Sequence, residues 1–156
     1  MSEINLSASW GVQQIIDTLP AVVFEYTISS NGLRDFTYIS PRCEELLGVS
    51  AEILMRGIFP MKHFIHQDDW EAFHQSSEAS IAKLDHWKWE GRIHGRDGQP
   101  VWVEASGVPR QMANGSVVWS GLISNISGRK LLEQRQRETE ERYRDLIEYL
   151  PLAIVS

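Results

Sequence analysis

Between residues 86 and 127 the chain reads HWKWEGRIH, GRDGQ, PVWVEASGVPR, MANGS and VVWSGLISNIS, in that order with one intervening residue. Three segments rich in β-branched and aromatic residues are separated by two stretches of glycine, asparagine and aspartate. Turns this short join antiparallel neighbours. In the first segment alternation places Trp87, Trp89 and Ile93 on one side and charges on the other. The second half of the chain is thereby committed to a three-stranded antiparallel meander.

The first half adds two strands and then changes period. Val12, Ile15, Ile16 and Leu19 recur at helical spacing ahead of Pro20. AVVFEYTI (21–28), the turn formers SSNGLRD and FTYIS (36–40) predict a hairpin. Ser40 is expected to cap a short helix, with Pro41 in its first turn and Gly48 closing it in a left-handed conformation. Ser50 starts another short helix, and residues 66–83, HQDDWEAFHQSSEASIAK, form a longer one whose first N–H groups Asp68 or Asp69 would cap. Two strands, a helical middle and three more strands indicate an α+β fold built on an antiparallel sheet.

Turn formers vanish between Arg129 and Pro151. There Leu132, Gln136, Thr139, Tyr143, Leu146 and Leu150 step by four and three, the spacing of a two-helix parallel coil with two polar seam positions. The chain also carries a repeat. Residues 15–25, IIDTLPAVVFE, align with residues 146–156, LIEYLPLAIVS, when Pro20 is set against Pro151. The expectation is one domain followed by the start of a second, in a piece of a longer tandem protein. The boundaries are an N-terminal helical cap over 1–20, a central domain over 21–129, a linker helix over 130–150 and the start of a second, truncated domain over 151–156.

Composition narrows the function classes. The 156 residues are 42% hydrophobic and 23% charged, enough for one core and an appendage. A net charge of −6 argues against a nucleic-acid surface. No apolar run reaches the ~20 residues of a membrane span, and the N-terminus MSEINLSASW lacks a signal peptide. The single cysteine, Cys43, suits a cytoplasmic location.

Five segments taken in order resemble a PAS domain with its PAC portion, of the subtype that carries a His-Pro-Asp-Asp element. That element is here His66-Gln67-Asp68-Asp69, with glutamine in place of proline. YISPRCEELLGVSAEIL (38–54) is similar to the second strand and following helices, while GRDG (95–98) and VWVE (101–104) resemble the third hairpin. GLISNISGRK (121–130) resembles the closing strand and its Asp-Ile-Thr-x-Arg-Lys signature, written here Asn125-Ile126-Ser127-Gly128-Arg129-Lys130. The resemblance implies a five-stranded antiparallel sheet with helices on one face, a small cavity, and an exit helix coupled to an effector. In multidomain bacterial sensors of two-component type that effector is a histidine kinase or a diguanylate cyclase.

The expected cavity residues are Phe24, Tyr38, Leu46, Phe73, Trp89, Val103 and Leu122, and the expected coupling residues are Asn125, Ser127, Arg129 and Lys130. Trp102 alternates to the other side of its strand from Val101 and Val103, toward a dimer surface. Some relatives carry haem on a histidine before the third strand, and His74 and His86 stand nearest that position. Light-sensing relatives form a flavin adduct through a cysteine on a later helix, whereas Cys43 lies in an earlier one. His63, His66 and Asp68 have the residue types of a metal clip, but capping is the better role for Asp68, and no metal is assigned. No nucleophile–base pair stands in a supporting context, so the module is read as non-enzymatic. The expected function is sensing by a homodimer that signals to an effector in the same parent chain, with a small molecule as optional ligand and no cofactor required. A ligand-free dimerisation scaffold and a haem- or flavin-bearing redox or gas sensor are the alternatives.

Overall fold

The computed structural model describes residues 11–149. It divides into two units, one running to Asn125 and the other beginning at Ile126. Residues 11–18 are helical (α1). Strands β1 (Val22–Ile28) and β2 (Arg34–Ile39) form the first hairpin, followed by short helices α2 (Cys43–Leu47) and α3 (Ala51–Met55). After 3-10 turns at Met61–His63 and Gln67–Asp69 comes α4 (Trp70–Lys83). The meander is β3 (Trp87–His94), β4 (Pro100–Gln111) and β5 (Val117–Asn125), and α5 (Ser127–Glu148) makes up the second unit.

The five strands form one sheet in the order β2-β1-β5-β4-β3, with every neighbouring pair antiparallel. β1 and β5 meet in the middle although they are the first and last strands. Gly107 of β4 sits opposite Gly121 of β5, and a Cβ on Gly121 would run into the backbone carbonyl of Ser106. Phe24 and Trp119 fill the space at this glycine pair: the ring of Phe24 and the Cβ of Trp119 lie 3.6 Å from where a Cβ on Gly107 would be.

Helices and sheet enclose an apolar layer. Val22, Phe24, Ile39, Cys43, Leu54, Phe64 and Trp119 pack as one buried cluster, and Ile65, Phe73, Trp89, Ile93, Val103 and Ala105 as a second. Burying side chains of this size supplies the main drive for folding, at roughly 1.5–3 kcal/mol each. Gly48 closes α2 at φ 75°, as the sequence predicts, and its N–H donates to the Glu44 carbonyl at 2.9 Å. Ser50 caps α3, its Oγ accepting from the Ile53 N–H at 3.3 Å.

Two capping expectations are corrected. Ser40 does not cap α2; its Oγ accepts the Val23 N–H at 2.9 Å and ties the end of β2 to the start of β1, while Arg42 takes the N-cap position. Asp69 occupies the N-cap position of α4 but gives it no side-chain bond. Its carboxylate turns to Arg92 on β3, and His66 instead accepts the Asp68 N–H through Nδ1 at 3.1 Å. A guanidinium and a strand N–H together offer the carboxylate more than the free helix end does.

This contact also covers a sheet edge. The His66 N–H donates to the Arg92 carbonyl at 3.0 Å, and the His94 N–H to the Phe64 carbonyl at 2.9 Å. The Arg92 N–H donates to Asp69 Oδ2 at 2.7 Å. Groups that an edge strand would leave open are satisfied by its own chain.

α5 begins at Ser127, with Ile126 in the N-cap position. Leu132, Tyr143 and Leu146 of the seam are exposed. The expected second domain over 151–156 and seam residue Leu150 lie outside the described residues.

Candidate functional site

A pocket of about 700 Å³ opens between the sheet and the helical layer. That is within the range of small-molecule sites. Its floor is the inward face of the sheet, with Phe24, Tyr26 and Ile28 from β1, Phe36 from β2, Trp119 and Ile123 from β5, and Ala105 from β4. Alternate residues of a strand share a face, so one strand supplies three wall residues. The opposite wall is the stripe Trp70, Phe73, His74, Ser77, Ser80 and Ile81 along α4, spaced by three and four. Residues 57–62 form a third side, and Leu33, Ile58 and Phe59 are exposed at the rim.

Hydrogen bonds fix the α4 wall to the sheet. Trp119 Nε1–H donates to Ser80 Oγ at 3.0 Å, and Ser80 in turn donates to the Asp85 carbonyl at 2.6 Å. Trp87 Nε1–H donates to Ser76 Oγ at 3.0 Å, and Ser76 donates to the Phe73 carbonyl at 2.9 Å. Each of these indoles has a partner, as burial requires. Rings brace one another edge to face: Phe24 with Phe36 at 6.1 Å, Tyr26 with Phe36 at 5.1 Å and Phe73 with Trp87 at 5.6 Å.

Charged groups gather at the rim. Arg34 Nη1 pairs with Glu78 Oε1 at 3.3 Å, linking the start of β2 to α4. Lys62 Nζ sits 5.6 Å over the Trp70 ring, against which the His74 ring also stacks at 5.6 Å. Burial pushes the Tyr26 phenol up, opposed by Arg34 and reinforced by Asp35.

Of the expected cavity residues, Phe24 and Phe73 line the pocket. Trp89 and Val103 lie next to it in the second buried cluster, Trp89 meeting Phe73 edge to face at 5.0 Å and covering Gly91, where a Cβ would overlap the indole. Leu46 packs behind it on both clusters. Tyr38 and Leu122 are on the other face of the sheet. A bulge between Glu25 and Tyr26 makes Phe36 and Ile39 both face the core, which turns Tyr38 outward beside Glu25. Leu122 lies between the inward Gly121 and Ile123 and is 41% exposed. Trp102 also lies on that outer face, directly across from Arg92, whose guanidinium sits 5.4 Å from its ring.

His74 lines the pocket and His86 does not. Cys43 is fully buried and its Sγ lies 3.6 Å from the Val49 carbonyl; burial pushes the thiol up to about 11. The coupling residues straddle the boundary between the units: Asn125 ends β5, while Ser127, Arg129 and Lys130 open α5, where Glu133 lies 3.8 Å from Arg129 and 3.7 Å from Lys130.

The sequence reading missed Tyr26, Phe36, Trp70, Ile81 and the segment 57–62. Period-two alternation from Phe24 contained Tyr26, and helical spacing from Phe73 contained Trp70 and Ile81. No periodic signal marks residues 57–62.

Comparison with known proteins agrees with the architecture. A family model described as PAS fold matches residues 36–123. No curated protein sequence matches the chain. Among solved structures, a sensory box histidine kinase/response regulator from Burkholderia thailandensis E264 is 21% identical, with a TM-score of 0.65, covering 86% of this chain and 98% of that one. The N-terminal domain of a diguanylate cyclase with PAS/PAC sensor from Marinobacter aquaeolei is 21% identical, with a TM-score of 0.57 and coverage of 69% and 98%. A PAS domain of a protein from Colwellia psychrerythraea is 19% identical, with a TM-score of 0.54 and coverage of 75% and 98%. With the five-stranded sheet in place and more than half its length matched by the family model, this chain belongs to the PAS fold family.

Proposed function

We propose that this chain is the sensory module of a larger signalling protein, converting occupancy of its pocket into a change at a paired C-terminal helix. One observation carries the reading. β5 lines the pocket through Trp119 and Ile123 and, after the single residue Ile126, the chain enters α5. A ligand that displaces the pocket wall pushes on the strand that leads into the helix.

α5 is suited to pairing with a second copy. Its seam exposes Leu132, Tyr143 and Leu146. Glu133 and Glu140 flank one side of that seam, Arg135 and Arg142 the other. In a parallel pair Arg135 of one copy meets Glu140 of the other, whereas an antiparallel pair sets like charges together. Gln136 and Thr139 weaken the seam, which keeps two arrangements close in energy. The effector we assign is a histidine kinase or diguanylate cyclase domain in the same cytoplasmic parent chain, with residues 151–156 opening a second domain. The names of the structural relatives support the first part, and the repeat around Pro20 and Pro151 supports the second.

Sedimentation of the chain with and without residues 129–156 tests the coil: the intact chain is dimeric and the shortened one monomeric, and a dimer that survives the deletion overturns it. A visible spectrum, with mass spectrometry of extracted small molecules, separates a ligand-bearing sensor from a scaffold that only dimerises.

A further inference from the structure

If the pocket is a ligand site, as proposed for the sensory module, its walls also select the ligand. Phe24, Tyr26, Phe36, Phe73, Trp87 and Trp119 reach it from five different elements. Their rings are fixed by edge-to-face contacts, and the two indoles by hydrogen bonds to Ser76 and Ser80. Walls of oriented rings offer flat apolar faces and ring edges, which a planar aromatic ligand matches better than a flexible chain.

The rim adds a charge. Arg34 is already engaged by Glu78. Among the described residues no carboxylate lies within ion-pair distance of Lys62, whose ammonium sits over the Trp70 ring. Lys62, Trp70 and His74 all line the pocket, so an ammonium stands at its mouth beside a flat ring and an imidazole. An anionic group placed there gains a charge-assisted hydrogen bond while the apolar body stays dry.

We propose that the pocket binds a planar aromatic carboxylate, its ring system between the aromatic walls and its carboxylate at Lys62. The probe is pyrenebutyrate, which accepts energy from the pocket tryptophans, titrated into the full chain against pyrenebutanol and palmitate. Pyrenebutyrate is expected to bind about tenfold more tightly than either. Lys62→Met keeps the apolar stem and should abolish the preference over pyrenebutanol while leaving pyrenebutanol affinity unchanged; Lys62 is exposed, so folding is not at stake. Equal binding of acid and alcohol overturns the role of Lys62. Tighter binding of palmitate overturns the aromatic assignment. No binding of any probe by chain of native melting temperature overturns the pocket as a site for this class, and leaves the dimeric helix to be judged by sedimentation alone.

Discussion

Asp69 grips Arg92 at three points: Oδ2 accepts the backbone N–H at 2.7 Å and Nε–H at 2.9 Å, and Oδ1 accepts from Nη2 at 2.8 Å. The two residues are 23 apart in the chain and tie the start of α4 to the edge of the sheet. Asp69→Ala strands both a guanidinium and a strand N–H, and should lower stability by about 1–3 kcal/mol in urea unfolding. An unchanged midpoint would show the grip to be energetically idle.

The same contact gives a pH signature. Hydrogen bonds from the Arg92 side chain hold the Asp69 carboxyl below the usual carboxylate range. Its contribution is therefore complete above about pH 3.9 and is lost as the pH falls toward the lower folded value. Stability of the native chain should drop more steeply below about pH 4 than that of Asp69→Asn, read as melting temperature against pH.

Ser80 joins Trp119 to the Asp85 carbonyl from a position that is 4% exposed. Ser80→Ala leaves a buried indole N–H without its partner, at about 1–3 kcal/mol. Chemical denaturation followed by tryptophan fluorescence measures the loss, and a shifted native emission spectrum should accompany it.

Cys43 should be unreactive toward a thiol reagent in the native state and react fully on unfolding. Its thiol is raised from 9.0 to about 11 by burial. The unfolded chain releases this proton first, so stability should decline as the pH rises from about 9 toward 11. Replacement by alanine removes that alkaline slope. Prompt labelling of folded protein at about pH 8 would contradict the buried position.

Leu132 and Leu146 are the two leucines of the α5 seam among the described residues, and Leu132 is 67% exposed. Leu132→Lys places like charges in a paired seam and should weaken self-association at least about tenfold by equilibrium sedimentation, with the melting of the sheet domain unchanged. Gln136→Ile should tighten it.

The sheet was legible because alternation and turn chemistry act over a few residues, and the meander from Trp87 to Asn125 is local throughout. The central pairing of β1 with β5 joins segments roughly a hundred residues apart, and no local pattern in the sequence marks it. Tyr38 was misplaced because one extra residue in a hairpin inverts the facing of every later position in the strand, and composition does not register it. Leu122 and Ile123 are adjacent apolar residues, which leaves the phase of β5 open in the sequence, and Gly121 gives no side chain to settle it. Asp69 reads equally well as a cap and as a partner for a distant arginine. Only the folded chain chooses between them.

With the backbone along the Arg92–His94 stretch of β3 already occupied, a neighbouring copy finds no ladder to extend at that rim. Encounters there are left to side chains alone, which can be tuned or discarded by single substitutions. That stretch of the rim is thereby spared an indiscriminate, fibre-forming way of meeting another copy.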